Sequence, residues 1–191
     1  KAIGDKVSEI IYEPYCGLPQ SVYCDVNIAS RGNTYHREDL ITGKYNNVYF
    51  VQSDLNVSSK NTGSEQRRTF THFSGRWIVI DYPKKFSGTV IVKDKDFVGI
   101  SRDDLEVITL ENPTFNEMFT VSTNDVQLGY YILTPQLVER FMELKQSSKG
   151  AIIACFKDGM LPGAGPAAAQ TGGGLGLHGE KPRPVCRILR Q

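Results

Sequence analysis

The sequence lacks the features that mark membrane-spanning, metal-binding and nucleic-acid-binding chains. Its longest apolar stretches, such as Trp77–Ile80 and Ala151–Phe156, are far shorter than the roughly 20 residues of a transmembrane helix. The four cysteines form no CxxC pair, and with three histidines no zinc-ligand spacing occurs. A net charge of +1 creates no overall field for nucleic acid. We therefore expect no metal, no cofactor and no nucleic-acid partner.

The cysteines indicate the redox compartment of the chain, and the first residue indicates how the chain was produced. Cys16 and Cys24 are close enough in sequence to approach across a turn, but unpaired thiols in a reducing compartment are the simpler interpretation. The chain starts at Lys1 rather than at Met, so we expect a fragment or a processed form.

The composition divides the chain in two. With 40% hydrophobic and 10% aromatic residues overall, it can bury a real core. In residues 162–191, however, half of the positions are glycine, proline or alanine, and none is aromatic. Such a segment buries too little apolar area to offset its ordering entropy. We predict one globular domain in residues 1–161 and a disordered tail in residues 162–191.

Strand patterns dominate the first half of the chain. Residues 46–57 are typical of a strand, with Val48 and Phe50 on one face and Tyr49 and Val51 on the other. Phe70–Phe73 and Arg76–Tyr82 are rich in aromatic and β-branched residues. Pro83–Lys85 resembles a turn, after which Gly88–Lys93 is strand-like again. This pattern predicts a hairpin between the two strands that flank the turn.

Helix signals dominate the second half. Pro135 at a first helical position, preceded by Thr134 as N-cap, predicts a helix over Gln136–Lys149 that ends at Gly150. Shorter helices are expected after Asn112 and near Thr123 or Asn124. Ala151–Phe156 then has the composition of a buried strand.

These elements together predict an α+β fold in a single domain. An antiparallel or mixed sheet is built mainly by residues 46–110 and 151–156, and two or three helices from residues 112–149 pack on it.

Several short blocks follow one another in a fixed order between residues 35 and 140. They are Tyr35–Lys44; Phe70–Trp77, Asp81-Tyr82 and Phe86–Gly88; and Leu110-Glu111, Phe115, Phe119–Asp125, Tyr130–Pro135 and Glu139-Arg140. In this order they resemble the bacterial family named domain of unknown function 3137. The resemblance spans most of residues 10–161 and, because the family has no assigned activity, it supplies no catalytic residues.

The same resemblance implies a location. Members of the family often carry hydrophobic segments before this domain, which would place it on the cytoplasmic side of a membrane. We therefore expect a cytoplasmic domain, at the inner face of a membrane in the full-length protein, whose membrane contact uses segments absent from this chain. Relatives would also continue after Asp158-Gly159 with an apolar strand, whereas Pro162 follows here, so we expect a frayed edge beside Ala151–Phe156.

One stretch of the tail matches a cofactor motif by its letters alone. Gly163–Ala168 fits the GxGxxA form of the dinucleotide-binding fingerprint, which needs a strand directly before it and a helix directly after it. The glycine-rich surroundings satisfy neither condition, so we interpret the match as chance.

Few polar residues suggest chemistry. His36, Glu38 and Asp39 include cation ligands in principle, although a solvated turn is the simpler interpretation. His72, Arg76 and Asp81 are the candidates for ligand contact, since they cluster around one strand-like stretch. No serine elbow accompanies them, so no catalytic residue is assigned.

The sequence thus favours a non-catalytic binding or scaffolding domain whose partner is a protein rather than a small molecule. The alternative is an enzyme or small-ligand receptor whose site is assembled only in three dimensions. A purely structural module is a third possibility.

Overall fold

The computed structural model describes residues 6–61, 68–82 and 86–157, together with the backbone of residues 185–190. Its strands are β1 (Val7–Glu13), β2 (Thr34–Tyr45), β3 (Val48–Lys60), β4 (Thr69–Asp81), β5 (Thr89–Asp94), β6 (Glu106–Ile108), β7 (Phe119–Thr123), β8 (Ile152–Lys157) and β9 (Val185–Arg190). Its helices are α1 (Gln20–Cys24), α2 (Pro113–Met118), α3 (Val126–Ile132) and α4 (Pro135–Ser147).

The strands form two antiparallel groups of four. Strands β1 to β4 pair in chain order, whereas the second group has the order β8-β5-β7-β6. Strand β9 lies between β4 and β8 and pairs antiparallel with both, so the described strands share the order β1-β2-β3-β4-β9-β8-β5-β7-β6. The predicted α+β class is therefore confirmed, with strands predominating. Three of the helices, α2 to α4, come from the predicted region of residues 112–149, and α1 is a further one that the sequence did not indicate.

The predicted hairpin between the strands flanking residues 83–85 is wrong. Strand β5 pairs with β7 and β8, and both β9 and β8 separate it from β4. The reason lies in its burial, because five of the six side chains of β5 are buried. The two cores cover its two faces, so β5 lies in the interior of the molecule, and local turn signals do not say which strands flank it there.

Two apolar cores lie on opposite faces of the sheet. The first core joins the segment around α1 to β3, β4 and β8. Its members include Leu18, Val22, Tyr23, Val26, Leu55, Val57, Phe73, Trp77, Val79, Ile153 and Cys155. The second core lies between helices α2 to α4 and the other faces of β5, β7 and β8. Its members include Val90, Val92, Phe115, Phe119, Val121, Ile132, Phe141, Ile152, Ala154 and Phe156.

Strand β8 and helix α4 follow the sequence prediction closely. Five consecutive residues of β8 are buried, because odd positions face the first core and even positions face the second. Helix α4 begins at Pro135 with Thr134 in the N-cap position, although the Thr134 side chain accepts no capping hydrogen bond.

Most of the C-terminal segment lies outside the described residues. Residues 158–184 lie outside the described residues, so the GxGxxA stretch and the Asp158-Gly159 turn do as well. The predicted frayed edge beside β8 is wrong over this stretch, because the backbone of residues 185–190 forms β9, which pairs with β8. The division into a domain of residues 1–161 and a disordered tail stays a prediction.

Candidate functional site

The first four strands leave one face without a covering layer of described helices. In β3 the residues Val51, Ser53, Leu55 and Val57 are buried, and Gln52, Asp54 and Asn56 alternate with them on the opposite side. We call this opposite side of β1–β4 the outer face. Helix α1 and the first core lie on the inner side, and helices α2 to α4 pack on the second group of strands.

Strand register places the polar side chains of the outer face in two rows. His36, Asn56 and Ser74 stand opposite one another across β2, β3 and β4. Glu38, Asp54 and Arg76 form the adjacent row. Directly opposite residues in antiparallel strands point to the same face, so the six side chains form one continuous array.

Most of this array is paired internally. The Arg76 guanidinium donates to both carboxylate oxygens of Asp54, through Nε at 2.8 Å and through an Nη at 3.3 Å. This hydrogen bonding raises the pKa of Arg76. Asn56 Nδ2 donates to Ser74 Oγ at 3.2 Å, and His36 Nε2 lies 3.4 Å from a Glu38 oxygen. Both residues of the Arg76–Asp54 pair remain more than 40% exposed, so the pair is available to a partner.

A shallow groove of about 630 Å³ runs over the array. It is lined by His36, Glu38, Asp54, Leu55, Asn56, Ser74, Gly75 and Arg76. Leu55 and Gly75 are register partners between the two polar rows, and the polar residues of these rows form the walls. We call this feature the polar groove.

An apolar strip continues the outer face beyond the polar groove. The register places Tyr12, Ile41, Gln52 and Ile78 in one row, and Gly43, Phe50 and Ile80 in the next. A side chain at Gly43 would lie 3.2 Å from the Phe50 ring and 3.4 Å from Ile10, so glycine lets these two pack together. Ile10 and Tyr12 are 57% and 56% exposed.

Asp39 connects β2 to the apolar strip through a hydrogen bond with Tyr12. It has a φ of 56° in a bulge where the β2–β3 register shifts, and its carboxylate accepts a hydrogen bond from the Tyr12 hydroxyl. This bond raises the pKa of Tyr12. Asp39 is thereby engaged away from His36 and Glu38, so the cation site weighed for these three residues is not assembled. Within the described ranges, no group of three or more His, Cys, Asp or Glu side chains could hold a metal ion.

A second polar pair lies on β3 and β4 outside the groove lining. Ser59 Oγ and His72 Nε2 are 2.7 Å apart, at a position where the register of the two strands shifts. Among the described residues, no carboxylate is bonded to the other ring nitrogen of His72. The arrangement supplies two members of a serine–histidine–acid set without the third.

The three candidates for ligand contact all lie on β4, but they are not brought together. Arg76 lines the polar groove, and His72 lies four residues before it on the strand. Asp81 is the last residue of β4, about 17 Å from Arg76 along the strand. Their role in ligand contact stays a prediction.

Sequence reasoning missed most of the groove. Asp54 and Asn56 were inside a predicted strand, and their alternation with apolar residues was the signal that places them on an exposed face. Pairing with Arg76 and Ser74 depends on the strand partner and register, which this alternation does not specify.

Comparison with known proteins finds a matching family for part of the chain. Residues 71–164, about half of the chain, match the family described as Protein of unknown function (DUF3137). This segment belongs to the DUF3137 family. It runs from β4 through β8 and so contains Arg76 and His72, whereas His36, Glu38, Asp54 and Asn56 precede it. No curated protein and no solved structure matches the chain.

Two further observations concern the wider chain. Among the described residues, no helix is both long and apolar enough to span a bilayer. Cys16 and Cys24 are both free thiols, so no disulfide joins them.

Proposed function

We propose that this chain is a non-catalytic binding domain that docks a partner protein on its outer face. The observation that carries the proposal is the continuity of an exposed apolar strip with a polar groove on one sheet surface. Protein interfaces commonly combine an apolar centre with a polar rim. Ile10 and Tyr12 supply exposed apolar area, and the Arg76–Asp54 pair supplies a fixed pattern of opposite charges.

The internal pairing of the groove supports binding rather than catalysis. Arg76 donates two hydrogen bonds to the Asp54 carboxylate, so its guanidinium is oriented before a partner arrives. Preorganised side chains lose little conformational entropy on binding, which favours recognition of a complementary surface. A broad, shallow groove also suits a protein surface better than a small ligand, which binds in a pocket that encloses most of it.

The test compares two exposed apolar strand residues. Ile10→Asp places a charge in the apolar strip, and Val107→Asp places one on β6, where Val107 is 68% exposed and remote from the outer face. Each variant and the parent chain are used to capture proteins from lysate of the source cells, followed by quantitative mass spectrometry. We expect at least one captured protein to be lost with Ile10→Asp and retained with Val107→Asp. An identical captured set for all three chains would contradict the proposal.

One specific observation favours a second candidate, a serine hydrolase. The 2.7 Å contact between Ser59 Oγ and His72 Nε2 has the geometry of a nucleophile with its base. A fluorophosphonate probe tests this directly. Labelling of Ser59 that disappears in His72→Gln would support the hydrolase and displace the binding proposal. No labelling of Ser59 in the parent chain would eliminate this candidate.

The location of the domain is part of the proposal. We infer, from the resemblance of the sequence blocks to a family with preceding hydrophobic segments, a cytoplasmic domain tethered to a membrane in the full-length protein. Fractionation of cells that express the full-length protein tests the inference. Recovery with the membrane after a high-salt wash supports it, and recovery in the supernatant without a wash contradicts it.

A further inference from the structure

Strand β1 forms one edge of the sheet. Among the described strands it pairs with β2 alone, whereas the strands between the two edges have partners on both sides. Its residues Ile10, Ile11 and Tyr12 are each 49% exposed or more. The backbone groups along a sheet edge can pair with another extended chain, and exposed apolar side chains favour such a contact. This edge therefore offers a partner both backbone groups and apolar area.

Only the second half of β1 suits an added strand. The register with β2 shifts near Glu9, which lies at a φ of 55° and forms an ion pair with Lys44 at 2.7 Å. Regular pairing resumes over Ile11–Glu13. Bulges and charges protect sheet edges from indiscriminate association, so the first half of the strand is blocked. Because the remaining stretch is short, side-chain contacts must supply much of the affinity and selectivity.

Tyr15 extends the exposed surface beyond the end of β1. The Pro14 carbonyl accepts a hydrogen bond from the Asp39 N–H at 3.1 Å. The Cys16 carbonyl accepts one from the Leu40 N–H at 3.0 Å, so the backbone on both sides of Tyr15 is fixed to β2. The Tyr15 side chain is nevertheless 96% exposed. A tyrosine on a fixed backbone gives a partner a large contact area at a small entropic cost.

The charge beside these side chains is negative. The Asp39 carboxylate accepts a hydrogen bond from the Tyr12 hydroxyl, a neutral donor that does not cancel its charge. Glu38 lies 3.4 Å from His36, its ion-pair partner within the described ranges. The hydrogen bond to Asp39 raises the pKa of Tyr12, and the nearby Glu38 and Tyr15 raise it further. Two carboxylates and two tyrosines are thus close together at this edge.

Basic side chains near these carboxylates are directed elsewhere. Lys44 is paired with Glu9, and Arg76 is paired with Asp54. Arg37 lies on the inner side of β2, where its guanidinium donates to a backbone carbonyl at 3.1 Å. The two carboxylates are therefore left to complement cationic side chains of a partner.

We propose that the β1 edge binds an extended segment of a partner protein that carries lysine or arginine among apolar residues. The segment continues the sheet beside Ile10–Glu13, and its apolar side chains pack on Tyr12 and Tyr15. Its cationic side chains pair with Glu38 and Asp39. This inference rests on the proposed binding function, and it specifies the chemistry of the partner at one end of the outer face.

A random peptide library displayed on phage tests this chemistry. It is panned against the full chain, against Glu38→Gln with Asp39→Asn, and against the control Glu106→Gln with Glu111→Gln. The control removes two exposed charges at the opposite edge of the sheet. Asparagine tolerates the φ of 56° at Asp39 and can still accept from Tyr12, so the first double variant should fold.

We expect the parent chain and the control to enrich peptides in which lysine or arginine alternates with β-branched or aromatic residues. The Glu38→Gln, Asp39→Asn variant should bind the same peptides about tenfold more weakly. Enrichment of neutral or acidic peptides, or of none, would overturn the proposal. Equal weakening in the control would overturn it as well, because the attraction would then not be specific to this edge.

Amide hydrogen exchange of the unmodified chain locates the bound peptide. With the most enriched basic peptide at about ten times its Kd, we expect exchange in Ile10–Glu13 to slow about tenfold and exchange in β6 to stay unchanged. Binding without slower exchange in Ile10–Glu13 would overturn strand addition at this edge.

The capture experiment with Ile10→Asp separates this inference from the proposed function. A cellular protein that is lost with Ile10→Asp but retained by Glu38→Gln with Asp39→Asn would uphold docking on the outer face and overturn the cationic chemistry of its partner. Loss of that protein with both variants, and its retention by Glu106→Gln with Glu111→Gln, would support both.

Discussion

Tyr35 links the burial of a single side chain to the pH dependence of stability. Burial, with a further contribution from Cys24, raises the pKa of Tyr35 to about 12. Its hydroxyl contacts the Cys24 thiol at 3.5 Å and donates to the Arg31 carbonyl. The unfolded chain loses this proton near pH 10, roughly, so stability is fully present below that pH and is lost as the pH rises towards 12.

We predict that Tyr35→Phe flattens the loss of stability between about pH 10 and pH 12, because the substituted side chain has no proton to lose. Urea unfolding at a series of pH values measures the effect. Tyr15→Phe is the control, since Tyr15 is 96% exposed and should leave the slope unchanged. Equal slopes for the parent and Tyr35→Phe would refute the assignment.

Lys145 holds helix α4 to the end of β5 through a buried carboxylate. Its Nζ lies 2.6 Å from Asp94, which is 1% exposed, and 3.0 Å from Asp96. Hydrogen bonds to these carboxylates raise the pKa of Lys145, so the stabilisation is present below the ordinary lysine pKa and is lost as the pH rises through the raised one. Asp94 also accepts from the backbone N–H of Ile152 at 3.3 Å, which extends the connection to β8.

We predict that Lys145→Met lowers the free energy of unfolding by about 2 kcal/mol, because Asp94 loses its counter-charge in a buried position. Chemical denaturation at neutral pH measures it. Lys149→Met, two residues beyond helix α4 and exposed, should change stability by less than about 0.5 kcal/mol. If the two variants were equally stable, the buried pair would contribute nothing.

The helix starts provide a prediction at the scale of elements. Asn112 accepts from the Phe115 N–H at 3.0 Å, and Asp125 accepts from the N–H groups of Gln127 and Leu128. Thr134 occupies the same position before α4 without such a bond. We expect Asn112→Ala and Asp125→Ala each to cost about 1 kcal/mol, and Thr134→Ala clearly less. Thermal unfolding of the three variants measures this, and a larger loss in Thr134→Ala would contradict the order.

Elements with strong local signals could be predicted, and their partners could not. Helix α4 could be predicted from Pro135 and its apolar stripe. Strand β8 could be predicted from a run of apolar residues, and five of its consecutive positions are buried. Strand β2 was missed because its exposed residues, from His36 to Glu38, interrupt any apolar alternation. The false hairpin of β4 and β5 shows the same limit, since a turn signal does not exclude a more distant partner.

On the scale of the whole molecule, sheet register assembles the candidate site. Arg76 could be named from the sequence as a candidate on one strand, but the groove is also lined by Asp54 from β3 and Glu38 from β2. These residues become neighbours through the pairings of β2 with β3 and β3 with β4. The alternation of side chains along each strand places these residues on an exposed face. Which of them become neighbours across the strands depends on the register and on bulges such as that at Asp39.

The outer face can be tested as a recognition surface apart from any role in stability. The Asp54–Arg76 pair is partly exposed on both sides, so it should add only about 0.5 kcal/mol to stability. Exchanging the two residues, as Asp54→Arg with Arg76→Asp, keeps an ion pair between the strands but reverses the pattern of charges that a partner meets.

The most direct measurement is therefore partner capture with this exchanged variant, alongside its melting temperature. The binding proposal predicts a melting temperature within about 2 °C of the parent and loss of the protein that Ile10→Asp also fails to capture. Full retention of that protein by a stably folded exchanged variant would contradict recognition through the outer face.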